Sequence, residues 1–199
     1  MRKRDKKEIF TRAATTLFSQ KGYTETSIKE IGKEAGLTIS LFYHYFKDKE
    51  EILYTIIERA IRDLTTVLKE IQSKEPDPVE CMKKMISRHI VYLLENKEAA
   101  KVTAAETGQL RNQRKIHCLN YQREIYDIFM NQLQHLDKLN LLADIDLTVV
   151  NFSIIGMINW FSRWYRPGKR LNEEDVAHSM NRIILSGILK VNPDRKDGA

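Results

Sequence analysis

Apolar residues in this chain recur every three or four positions, over long distances with no glycine or proline to stop them. The stripe Ile52, Leu53, Ile56, Ile57, Ala60, Ile61, Leu64, Val67, Leu68 and Ile71 holds for about five helical turns. A strand would alternate with a period of two, and no segment sustains that. With 8 glycines and 4 prolines in 199 residues, the pattern predicts an all-α fold of about nine helices. Ile9, Phe10, Ala13, Leu17 and Phe18 line a first helix from about Lys6 to Gln20, stopped at Gly22. A short second helix opens at Thr26 or Ser27, with Glu30 at capping-box distance from Ser27, and breaks at Gly36. Thr38 caps a third, and Asp48 caps the long fourth helix that carries the stripe. Asp77, Pro78 and Glu80 give the fifth an N-cap, a first-turn proline and a box carboxylate. The sixth ends at Gly108. A long seventh follows, then an apolar eighth after Asp146 that "RPGKR" ends, and a ninth capped by Asn172 with an acidic first turn, reaching Val191.

Charge is unevenly spread. The net charge is +6, and residues 1–49 hold 11 Lys or Arg against 6 Asp or Glu, leaving +1 for the rest. A local positive excess attracts polyanions. The apolar fraction of 42% and charged fraction of 30% are those of a soluble globular protein. No window spans a bilayer, and the basic N-terminus lacks the apolar run of a secretory signal, so a cytoplasmic protein with no membrane partner is expected. Cys81 and Cys118 stand apart, outside any CxxC pair, and read as reduced thiols without metal. His44, His89, His117, His135 and His178 form no metal-binding spacing. GxSxG and phosphate-cradling glycine loops are missing too, so neither catalysis nor a cofactor is expected.

The segment "AGLTISLFYHYFKDKEEIL", residues 35–53, puts Phe42, Tyr43, Tyr45 and Phe46 in five positions. Consecutive residues of a helix point to different faces, so some of these rings must face away from a core. "IKEIGKEA-GLT-ISLFYHYF" has helix-turn-helix spacing. Ile31, Ala35, Leu37, Phe42 and Phe46 can close a small core. That leaves Tyr43 and His44 outside as phosphate partners, with Lys47 or Lys49 adding charge. Together with "LF" at 17–18, "GY" at 22–23, Thr26, "IG" at 31–32 and "AGLT" at 35–38, the stretch resembles the DNA-binding region of the TetR family of transcriptional repressors. The resemblance implies a DNA-binding domain over 1–48 and a ligand-binding and dimerisation domain over 49–199. It implies that Thr26 and Ser27 meet a phosphate at a helix N-terminus. Thr38, Ile39, Ser40 and Leu41 would start the recognition helix, and Tyr43, His44 and Lys49 would contact the backbone. Ile39 and Ser40 depart from the family's usual residues, and Ile39 can pack on a thymine methyl but cannot hydrogen-bond a base.

The resemblance further implies a homodimer on a palindromic double-stranded operator, repressing until a small-molecule effector releases it. The last two long helices would form the subunit contact. The tail "GMINWFSRWYRPGKRLNEEDVAHSMNRIILSGI" is similar to a branch that responds to acyl-coenzyme A, so the effector is expected to be apolar or an acyl-CoA. Met82, Met85, Ile86, His89, Tyr92, Tyr121, Ile125, Phe129 and Asn151 are the candidate effector lining. Arg111, Arg114 and Lys115 either meet coenzyme phosphates or form a solvated face. A ligand-independent regulator or an activator is the alternative that the head leaves open.

Overall fold

The computed structural model describes residues 3–166 and 170–190. Among them the chain forms α1 (Lys3–Lys21), α2 (Ile28–Ala35), α3 (Ile39–Tyr45), α4 (Lys49–Lys74), α5 (Pro78–Glu95), α6 (Lys97–Glu106), α7 (Asn112–Lys138), α8 (Leu147–Trp164) and α9 (Glu173–Ile188). A 3-10 turn, Thr107–Gln109, sits where the sixth helix was expected to end. Pro167 and Gly168, the expected stop of α8, and Val191 lie outside the described residues. The one extended pairing described is an isolated antiparallel bridge between Leu142 and Leu189.

The helices divide into two compact units. The first holds the described residues up to Asp63 together with Asn96–Arg123; the second holds Leu64–Glu95 and the described residues from Glu124 onward. So the unit containing the helix-turn-helix segment also takes in α6 and parts of α4 and α7.

In the first unit the core is aromatic. Phe10 of α1 meets Phe42 of α3 edge-on with ring centroids 5.5 Å apart, and Phe42 lies 5.3 Å from Phe46. Ile31 of α2 and Ile52, Leu53, Ile56 and Ile57 of α4 are buried in the same unit. α6 is fastened to α1 and the turn after it: the Thr16 hydroxyl donates to Glu98 at 2.9 Å, and the Tyr23 N–H to Glu106 at 3.2 Å. In the second unit α5 packs against α8 and α9. Its core gathers Met82, Met85 and Ile86 with Phe129 and Leu133 of α7, Ile154 and Ile158 of α8 and Val176 and Ile184 of α9. Both cysteines are buried, Cys118 in the first unit and Cys81 in the second; burial pushes the Cys118 thiol up to about 11 and also raises Cys81.

The helix starts follow their capping residues. Ser27 and Glu30 form a complete capping box on α2, as do Asn172 and Asp175 on α9. Asp48 accepts from the Glu51 N–H, while the Glu51 carboxylate accepts from the N–H of Lys47, the residue before the cap, so α4 has the cap but a shifted return bond. At α5 the expected box is only half made. Asp77 accepts from the N–H groups of Val79 and Glu80 at 2.9 and 2.8 Å, but the Glu80 carboxylate turns to Lys83, and Glu75 takes the Asp77 N–H. A nearby lysine and a competing carboxylate outbid the reciprocal half of the motif.

Gly36 ends α2 in the left-handed region at φ 62°, its N–H bonded to Gly32 and Lys33 carbonyls, and Leu37 N–H reaches the Gly32 carbonyl at 2.9 Å. An added Cβ at Gly36 meets nothing within 4 Å. The cost of Gly36→Ala is therefore that of the backbone alone, about 1 kcal/mol. Urea unfolding of the two proteins should show that loss with an unchanged m-value.

Candidate functional site

The turn between α2 and α3 fixes which side of α3 is exposed. Thr38 caps α3 by accepting from the Leu41 N–H at 3.2 Å. Phe42 and Phe46 are sealed inside, 0% and 1% exposed, while Ile39 and Tyr43 stand 42% and 56% exposed. Ser40 and His44 are exposed as well, and Leu41 is half-buried. Residues four apart share a helix face, so Ile39–Tyr43 and Ser40–His44 make two adjacent outward columns. α3 therefore presents a hydroxyl-bearing and imidazole-bearing surface from a buried aromatic base.

Three other residues expected at a phosphate are differently employed. Thr26 is 1% exposed, and its hydroxyl donates to the Gly22 carbonyl at 2.8 Å. Lys49 sends its ammonium to the carbonyls of Thr26, Tyr23 and Thr24 at 2.7, 2.8 and 3.3 Å and sits 4.4 Å from the Tyr23 ring centroid. Burial lowers its pKa. Ser27 both donates its hydroxyl to Glu30 and caps α2. Together they build and brace the turn that leads into α2. Lys29 in the first turn of α2 and Lys47 before α4 are exposed cations of the same unit; of these the sequence argument passed over Lys29.

Of the nine residues expected around an effector, eight lie in the second unit and Tyr121 lies in the first. Met82, Met85, Ile86, Phe129 and Asn151 are fully buried, His89 and Tyr92 nearly so, and Ile125 packs against their core. The His89 ring lies 5.8 Å from that of Phe129, and the Asn151 amide donates to the Tyr126 carbonyl at 2.9 Å. Burial lowers the His89 pKa to about 4, so its imidazole is neutral at physiological pH. Asn181 on α9, which the sequence argument missed, is buried too and donates to the Ser87 hydroxyl at 2.6 Å. Its only signal was an amide set among Met180 and Ile184 on an apolar stripe. A surface groove of about 480 Å³ runs along α5, but Ile71, Glu80, Lys83, Lys84, Ser87, Arg88 and Val91 line it, and no expected effector residue does. Its cations are paired with Glu80, Glu75 and Glu95.

α8 is apolar on two sides. Val150, Asn151, Ile154 and Ile158 face the core, while Val149, Phe152, Trp160 and Trp164 stand 59–66% exposed. Among the described residues no His, Cys, Asp or Glu cluster suits a metal, and no helix is long and apolar enough to cross a membrane.

The family model for bacterial regulatory proteins of the tetR family matches residues 10–55, and that for the tetracyclin repressor-like C-terminal domain matches residues 75–188. The chain belongs to the TetR family of transcriptional regulators. Such proteins are not enzymes. Over 178 residues the regulator is 25% identical to the HTH-type transcriptional repressor KstR2 of Rhodococcus jostii, covering 88% of this chain and 87% of the relative. Its fold is similar to that of KstR2 of Mycobacterium tuberculosis, with a TM-score of 0.86 at 21% identity over 96% of this chain and 97% of the other. It is also similar to AibR, solved in complex with isovaleryl coenzyme A and operator DNA, with a TM-score of 0.83 at 22% identity over 92% and 99%.

Within the first unit of this TetR-family regulator, the basic cluster at the start of α7 has a definite task. Arg114 reaches Asp48 at 2.9 Å, Glu50 at 3.7 Å and Glu51 at 3.9 Å, and the Arg111 N–H donates to Glu50 at 2.9 Å. Three carboxylates suit the positive end of α4 but repel one another, and Arg114 offsets that repulsion. Arg111 and Lys115 have exposed side chains.

The brace at α2 is testable by pH. Lys21, then the Ser27 N–H and hydroxyl, hold the Glu30 carboxyl down to about 2. A depressed carboxylate stabilises the fold above its unfolded pKa, and that contribution is lost as pH falls from about 4.5 through 2. A carboxyl-carbon NMR titration should place the Glu30 midpoint near 2, and Ser27→Ala should move it upward.

Proposed function

We propose that the regulator is a homodimeric repressor that holds two α3 helices in successive major grooves of a palindromic operator and is released by an apolar or acyl-CoA-type effector bound in the second unit. The observation that carries the DNA half is the outward pair of columns on α3, Ile39–Tyr43 and Ser40–His44, set on the buried Phe42 and Phe46. In this reading Tyr43 and His44 donate to phosphates, Thr38, Ile39, Ser40 and Leu41 approach base edges, and Ile39 packs on a thymine methyl. Ser27 shapes the N-terminus of α2, whose first-turn N–H groups face a phosphate, with Lys29 adding charge. Thr26 and Lys49 serve DNA binding by bracing the turn rather than by touching the duplex. The same reading puts the regulator in the cytoplasm with its operator.

The subunit contact is assigned to the exposed face of α8, with Ile183 of α9, itself 67% exposed, as a further apolar group for it. Exposed apolar groups in one contiguous band mark an association surface. The effector class rests on the likeness to AibR, whose structure holds isovaleryl coenzyme A, and on the methionine-rich core around Met82 and Met85, which suits an adaptable apolar pocket. An effector frees DNA only through its preference for one head separation over another; moving an equilibrium from 1:99 to 99:1 needs about 5.5 kcal/mol.

Two experiments test this. Duplexes selected from a random pool should bind the native protein with strong salt dependence. Tyr43→Phe combined with His44→Ala should weaken that binding about tenfold or more, and unchanged affinity in a folded dimer removes both residues from the backbone role. Trp160→Glu with Trp164→Glu should sediment as a single chain at micromolar concentration, whereas a persistent dimer places the contact elsewhere.

A further inference from the structure

Three buried polar atoms of the second unit have no hydrogen-bond partner among the described residues, and two of them belong to side chains that touch the same stretch of α7. Asn151 on α8 is 0% exposed. Its Nδ2 donates to the Tyr126 carbonyl at 2.9 Å, while its Oδ1 has no partner. The amide cannot be flipped, because a carbonyl only accepts. His89 on α5 is 3% exposed, rests against Phe129, and its Nδ1 is also unpartnered. Tyr126 and Phe129 are three residues apart on α7, which is under one turn of helix and roughly 4.5 Å along its axis. Native cores rarely keep such atoms without a use, because each loses its water and gains nothing in return. Asn181 Oδ1 is unpartnered as well, but a hydroxyl can donate or accept, so that amide's orientation is free and it decides less.

The surroundings restrict what can satisfy Asn151. Among the described residues, the buried polar side chains of this unit are Thr65, His89, Gln132, Asn151 and Asn181, and none of these is charged. An anion placed there would have no counter-charge. We infer that the core between α5, α7 and α8 recognises an apolar molecule through an uncharged hydrogen-bond donor given to Asn151 Oδ1, with His89 Nδ1 on α5 available to a second polar atom. This rests on the proposed effector role of the second unit and narrows it. A saturated acyl chain with its thioester carbonyl only accepts and leaves Asn151 unmatched. The donor must come from a hydroxyl on the apolar part or from an amide N–H on the arm that carries it.

The test uses the full-length protein and three probes: 1-decanol, decyl methyl ether and decanoyl-coenzyme A. The alcohol donates; the ether has the same chain and only accepts. Affinities are read by calorimetry for the native protein and for Asn151→Leu, with circular dichroism confirming the fold. Asn151→Leu should weaken either the alcohol or the thioester about tenfold, as the loss of one buried hydrogen bond implies, and leave the ether unchanged. Weakening of the alcohol assigns the donor to a hydroxyl, and weakening of the thioester assigns it to the arm's amides. The inference is overturned if the variant binds all three probes as the native protein does, or if none binds the native protein. Should Asn151→Leu not fold, Asn151→Thr takes its place. DNA capture by the native protein is measured in parallel. Capture without the expected probe behaviour sinks only this inference, while failure to capture any duplex sinks the regulator reading whatever the probes do.

Discussion

Burial of Phe42 and Phe46 is the constraint on which the exposed surface of α3 depends. A fully buried phenylalanine contributes roughly 1.5–3 kcal/mol, and an edge-on aromatic pair such as Phe10–Phe42 about 0.5–1.5 more. Neither ring can turn outward without forfeiting that. α3 is seven residues long, too short to stand by itself, so its orientation is set by those two rings and the turn at Gly36. Once they are inside, helical geometry leaves Ile39, Ser40, Tyr43 and His44 outside. The outward surface of α3 is the complement of the core and needs no separate interaction to hold it.

A second layer of organisation comes from charged groups used at short range inside the first unit. Lys49, which looks like a phosphate contact, bonds three carbonyls around the turn at Thr26. Arg114, which looks like a phosphate ligand, answers the carboxylates of Asp48, Glu50 and Glu51. Such contacts are half-exposed, and each is worth about 1 kcal/mol or less in isolation. Their shared effect is geometric: they join α7 to the start of α4 and α4 to the turn before α2.

Much of this was legible in the residue order. Period and glycine placement gave the helices, because apolar spacing and left-handed caps act locally. Asp48, Ser27 and Asn172 were recognisable as caps for the same reason. Phe42 and Phe46 could be told from Tyr43 and His44 because only one face of α3 can meet Ile31. What the order could not carry was competition among several possible partners, some of them near in sequence and some far. Glu80 is an ideal box residue until Lys83 and Glu75 are placed around it. Lys49 is an ordinary surface cation until the turn at residues 23–26 lies beneath it. Asn181 is an unremarked amide until α9 is packed on α5.

The outer face of α8 has an optical corollary. The chain contains 2 tryptophans, and both, Trp160 and Trp164, stand on that face with ring centroids 5.8 Å apart. All of the indole emission of the protein therefore originates from one band of surface. When that band is wet, the emission has the long-wavelength maximum of solvated indole; when another surface covers it, the maximum moves toward the blue. The intrinsic fluorescence spectrum reports whether the band is covered, without a label and at concentrations too low for sedimentation.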